Sequence, residues 1–202
     1  MKRQPCLSRM GFVLTGGKSS RMGADKALLQ FEGRTLLERA IDVLRRACKE
    51  FAIVGDPARF GTVGKAIADV YSGCGPLAGI HAALQYSSAE LNVVIAVDMP
   101  FVSSELITFL QDAAETYDAL VTVPRTSRGL QPLCAVYRPA FAAVAEEALK
   151  AGKYKIDALF PGTAVRVIEE ADLAAAGFSE RNFLNVNTAA DLHSARSQVI
   201  KP

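Results

Sequence analysis

GFVLTGGKSSRMGADKALL, residues 11–29, carries the reading from which the fold follows. The apolar run Gly11-Phe12-Val13-Leu14 has strand character. It leads into the adjacent glycines Gly16 and Gly17, two serines and three cations, Lys18, Arg21 and Lys26. A strand, a glycine-rich loop and a helix start can aim several backbone N–H groups at one anion. The cations add charge-assisted bonds to phosphate oxygens. So many permissive and positive residues exceed what a solvated connector needs, and the stretch predicts a phosphate loop behind a first strand. Counting excludes two common phosphate loops. The pattern G-x-x-x-x-G-K-[ST] needs a glycine where Phe12 stands, and G-x-G-x-x-G fails because Gly16 and Gly17 adjoin and the next glycine is Gly23.

Outward from this stretch, apolar runs of strand length alternate with helical patterns. The alternation predicts a Rossmann-like α/β fold: a mainly parallel sheet with helices on both faces. Strands are expected at 12–14, 51–54, 66–68, 93–97, 119–123, 133–136 and 165–168. Helices are expected at 35–50, 80–86, 104–116 and 139–150, and from Thr188 onward. Thr35 with Glu38, and Thr188 with Asp191, have capping-box spacing. Val93-Val94-Ile95-Ala96-Val97 reads as a strand buried on both faces.

The 202 residues, half of them hydrophobic, suffice for a core and read as one domain over residues 1–202. A net charge of +2 implies no broad face for nucleic acid. Cys6, Cys48, Cys74 and Cys134 lack metal-ligand spacing and read as reduced thiols, three of them core filler. The first ten residues lack an apolar signal region, and no stretch is long and apolar enough to span a bilayer. A soluble cytoplasmic location, with no membrane partner, is the expectation.

Asp98, in the triplet Asp98-Met99-Pro100, stands at the carboxyl end of the most apolar strand, where open α/β sheets bind ligands. A carboxylate there suits Mg²⁺ beside a triphosphate; the plain alternative is an Asx-turn before a proline-led loop. Gly73, Gly75 and Gly79 around Pro76 let the backbone approach a flat ligand, or simply build a tight turn. Asn185 and Asn187, two apart, share one side of an extended segment and face an acceptor, or cap the final helix. Arg125, Arg128, Lys153 and Lys155 are cations that an anionic acceptor can use. His81 and His193 neighbour no nucleophile and read as structural or solvated.

The run LTGGKSSRMGADKALL resembles the L-x-G-G-x-S-x-R-M-G-x-D-K-x-L signature of molybdenum cofactor guanylyltransferases, the MobA-type nucleotidyltransferases. Gly75-Pro76-Leu77-Ala78-Gly79, Asp98-Met99-Pro100 and Asn185-Val186-Asn187-Thr188 follow in the family's order, so the likeness spans about residues 11–188. It implies the nucleotide-diphospho-sugar transferase type of fold and transfer of GMP from GTP to the terminal phosphate of molybdopterin, with Mg²⁺. Lys26, Arg21 and Asp98 are then catalytic. Leu14, Thr15, Gly16, Gly17, Lys26, Asp69, Gly75, Gly79 and Asp98 bind nucleotide, Asp98 also holds the metal, and Asn185 and Asn187 face the acceptor. The adjacent-glycine opening and the GPLAG segment go with guanine in that family. A family asparagine after the second strand has no counterpart at Gly55-Asp56, and no contact is assigned there. Transient contacts with molybdopterin-handling proteins are expected. Rival readings are a cytidylyltransferase on the same acceptor, a sugar-phosphate nucleotidyltransferase, and a non-catalytic nucleotide-binding protein.

Overall fold

A computed structural model describes residues 7–16, 26–186 and 191. The chain opens with β1 (Arg9–Leu14) and, after a 3-10 turn at Lys26–Leu28, the hairpin β2 (Gln30–Phe31) and β3 (Arg34–Thr35). Then come α1 (Leu36–Ala47), β4 (Glu50–Val54), α2 (Pro57–Phe60), β5 (Ala66–Ile67), α3 (Pro76–Tyr86) and β6 (Leu91–Ala96). The later half holds α4 (Ser104–Glu115), β7 (Val121–Thr126), β8 (Gly129–Leu130), β9 (Cys134–Tyr137), α5 (Phe141–Lys150), β10 (Val165–Ile168) and α6 (Glu170–Ala175).

The main sheet runs β10-β7-β9-β6-β1-β4-β5, with β8 paired to β7. β1 is parallel to β4 and β6, β4 to β5, and β7 to β10; β9 is antiparallel to both β6 and β7. A short link through β8 returns the chain directly beside β7, which only an antiparallel pairing permits. Alternate residues of each strand feed opposite faces. Val13, Ile53, Val93 and Ile95 pack with Leu37, Leu44, Leu106 and Leu110 of α1 and α4 on one side. Phe12, Val54 and Val94 pack with Leu77, Ile80, Phe141 and Ala145 of α3 and α5 on the other. Every residue of β6 is buried, as its β-branched run implies.

Boundaries differ from the sequence reading for local reasons. α1 ends at Ala47, because Cys48 is already extended and leads straight into β4. Its capping box forms: Glu38 N–H donates to Thr35 Oγ1 at 3.1 Å, and Thr35 N–H to Glu38 Oε2 at 2.7 Å. α3 starts four residues before the expected position, with Pro76 in its first turn and Gly75 as N-cap at φ +72°. Gly79 is therefore helical, and its lack of a side chain serves packing: a Cβ there would lie 3.2 Å from Leu14 Cδ2. The β2–β3 hairpin, α2, β8 and α6 add short elements that the apolar patterning does not mark. The helix expected from Thr188 lies outside the described residues, and among those residues no helix is long and apolar enough to cross a membrane.

Candidate active site

β1 leads on one side to β4 and β5, and β6 then returns on its other side. The chain thus reverses direction across the sheet between β1 and β6, where a crevice opens at the carboxyl ends of the strands. That crevice is a cleft of about 230 Å³ lined by Leu14, Thr15, Gly16, Lys26, Pro76, Ala96, Val97, Asp98, Leu133 and Asn185. A second hollow of about 350 Å³ adjoins it through Leu14, Gly16 and Pro76, and adds Val54, Asp69, Gly73, Gly75 and Gly79. Together they form a two-lobed groove of the size that small ligands occupy.

Asp98 follows β6 by two residues, and the Val97 N–H still pairs with Leu14 C=O at 3.1 Å, which fixes the strand end against β1. The Lys26 ammonium donates to Asp98 Oδ2 at 3.0 Å, and both side chains are mostly buried, at 25% and 15% exposure. The pair shows a carboxylate that accepts a cation on the cleft wall. Among the described residues no group of three or more His, Cys, Asp or Glu converges on one point. A single carboxylate of this kind fits Mg²⁺, which keeps waters and takes further oxygen ligands from substrate phosphates.

Thr15 is anchored twice, its N–H and its hydroxyl both donating to Val54 C=O at 2.9 Å. Both Thr15 donors are thereby turned into the fold, which leaves the Gly16 backbone at the cleft. In the second lobe Asp69 carries a buried Oδ1 with no hydrogen-bond partner among the described residues, and burial raises its carboxyl above the ordinary range. An orphaned buried carboxylate oxygen is costly unless a donor arrives. Gly73 and Gly75 both hold positive φ in this wall.

The structure thus gathers Leu14, Thr15, Gly16, Lys26, Asp69, Gly75, Gly79, Asp98 and Asn185 around one groove. Gly17, Lys18, Arg21 and Asn187 lie outside the described residues, as does His193. Gly55 and Asp56 stand aside from the groove. A Cβ on Gly55 would lie 2.0 Å from Thr15 Oγ1, and Asp56 Oδ1 accepts from Ala58 N–H to cap α2. Arg125 pairs with Glu169 at 3.1 Å and Arg128 with Glu180 at 2.8 Å, so both are engaged within the chain. His81 is 4% exposed and structural, its ring edge-on to Tyr71 at 5.3 Å. Cys48 and Cys134 are buried, Cys74 only partly. Sequence reasoning missed the lining residues Pro76 as a helix start, Val97 and Leu133; a proline directly after Gly75 was the available signal for the first.

Residues 11–165 match the model of the MobA-like NTP transferase domain. A protein of Pelotomaculum thermopropionicum named probable molybdenum cofactor guanylyltransferase is 39% identical over 194 residues, covering 94% of this chain and 93% of its own. The crystal structure of molybdopterin-guanine dinucleotide biosynthesis protein A from Archaeoglobus fulgidus superposes with a TM-score of 0.83 at 28% identity, over 94% of this chain and 98% of that one. The fold is shared more widely: 2-C-methyl-D-erythritol 4-phosphate cytidylyltransferase from Thermus thermophilus gives 0.67 at 20% identity, over 93% and 97%.

Proposed function

The chain belongs to the MobA-like NTP transferase family, and we propose that it transfers GMP from GTP to the terminal phosphate of molybdopterin, releasing pyrophosphate. The observation that carries the reading is the Lys26–Asp98 pair at the switch-point cleft, with the orphaned Asp69 carboxylate in the adjoining lobe. The two lobes suit a nucleotide whose phosphates lie by Lys26 and whose base and sugar lie among Asp69, Gly75 and Gly79. Asn185, which lines the same cleft as Asp98, faces the acceptor.

An acceptor phosphate is already anionic near neutral pH, so it needs no general base. The barrier is the approach of two polyanions, which positioning and fixed charge lower. The Gly16 backbone orients the phosphates, and Lys26 sheds Asp98 to meet charge growing on the leaving pyrophosphate. Arg21 and Lys18 serve the same end of the triphosphate. Mg²⁺ held by Asp98 would offset negative charge on the phosphate oxygens.

Purified protein given Mg²⁺, molybdopterin and each nucleoside triphosphate in turn tests this. Pyrophosphate release should follow GTP, with little from CTP. Preference for CTP, or release with a sugar phosphate in place of molybdopterin, refutes it.

A further inference from the structure

The turn that carries Asp98 is held in an unusual way. β6 has ended at Ala96, so residues 98–101 have no ladder to satisfy their carbonyl groups, yet each of the four accepts a donor. Asp98 C=O receives Val186 N–H at 2.8 Å, and Met99 C=O receives Val102 N–H at 3.3 Å. Pro100 C=O receives Arg39 Nη2 at 3.4 Å, and Phe101 C=O receives Asn182 Nδ2 at 3.1 Å. The donors come from α1, from the turn itself and from residues 182–186. Aromatic packing ties the same parts together. Phe101 meets Phe31 edge-on at 5.7 Å, Arg39 lies over Phe31 at 4.9 Å, and Arg181 lies over Phe101 at 4.9 Å.

We propose that Asn182 and Arg39 are positioning residues, which hold the Asp98–Phe101 turn and thereby aim the Asp98 carboxylate at the reacting phosphates. Neither lines the nucleotide groove; Arg39 instead borders a separate cavity of about 350 Å³ behind Pro100. Their action therefore passes through the turn backbone. A catalytic group displaced by an ångström loses up to about a hundredfold in rate, so a loosened turn is felt in turnover. The inference rests on the proposed nucleotidyl transfer at Asp98.

Two variants separate positioning from mere structure. Asn182→Asp keeps an oxygen for the Ser179 N–H, which Asn182 Oδ1 accepts at 2.9 Å, but removes the donor to Phe101. Arg39→Lys keeps a charge for Glu32 but loses the fork that reaches Glu32 at 2.9 Å and Pro100 at once. It sits on another element, so it stands in if the first variant fails to fold.

The measurements are kcat and KM for GTP, the Mg²⁺ concentration giving half-maximal rate, the thermal midpoint, and amide exchange over residues 97–102. The expected result is a kcat lowered about tenfold, a raised Mg²⁺ requirement, faster exchange in the turn, an unchanged KM, and a thermal midpoint lowered by only about 2–4 °C, the cost of one lost hydrogen bond. Turnover within twofold of wild type in a folded variant, whether or not exchange quickens, overturns the positioning role alone. Wild-type protein that transfers no nucleotide overturns the function first, and this role with it.

Discussion

Two side chains 72 residues apart in the chain, Lys26 and Asp98, meet at 3.0 Å: Asp98 follows β6, and Lys26 opens the 3-10 turn whose Ala27 packs into the core with α1. In the proposed reaction they part: Lys26 meets the leaving group, and Asp98 would hold Mg²⁺. Lys26→Ala should then lower kcat by about a hundredfold or more, in line with losing one preorganised charge donor. Steady-state rates equal to wild type would remove Lys26 from the site. Asp69 makes a different demand. Burial raises its carboxyl above the ordinary range, so the folded state holds its proton more tightly than the unfolded chain. Its contribution to stability is present below the unfolded value and lost as pH rises through the folded one, and at neutral pH the charge is a burden. Asp69→Asn should raise the thermal midpoint of the ligand-free protein while weakening GTP binding by about tenfold, the cost of a lost hydrogen bond to a charged group. Calorimetry that finds GTP affinity unchanged would take Asp69 out of the nucleotide lobe.

Among the elements, α3 shows how much of the site the sequence declares. Gly75-Pro76 was legible as a place of close approach, but a turn and a proline-led helix start share the same residues, and only packing against Leu14 and Val54 decides for the helix. β6 and α1 were plain, the first from its unbroken β-branched run and the second from its amphipathic stripe and capping box. The β2–β3 hairpin was not, since strands of two residues carry no periodicity; the Glu32-Gly33 turn, both at positive φ, was its only mark. Asp98 and Lys26 are legible in the sequence without any contact between them, because strand-end carboxylates and loop cations are local signals. The carbonyl donors Arg39 and Asn182 were illegible, because each acts on backbone 61 or 81 residues away.

α3 also buries His81, whose ring nitrogens have no hydrogen-bond partner among the described residues and which faces Tyr71, Glu146 and Lys150. Burial lowers its pKa from 6.5. The unfolded chain therefore takes up a proton first, and stability should fall as pH drops from about 6.5 toward the lowered value, then level off. His81→Leu, which orphans no hydrogen bond, should flatten that part of the stability curve in urea unfolding. Parallel curves for the two proteins would contradict the assignment.

For the whole molecule, one mixed sheet with α1 and α4 on one face and α3 and α5 on the other delivers three separate stretches to a single groove. They are the end of β1 with Lys26, the Asp69–Gly79 wall, and the Asp98 turn beside Asn185. Family membership and this convergence agree on nucleotidyl transfer. The most direct test of the account is Mg²⁺-dependent formation of the guanine dinucleotide from GTP and molybdopterin, compared between wild type and Asp98→Asn with thermal melting of both. Product from the wild type and none above background from an equally well folded Asp98→Asn is the result expected. Undiminished product from that variant would contradict the claim that this carboxylate organises the reaction.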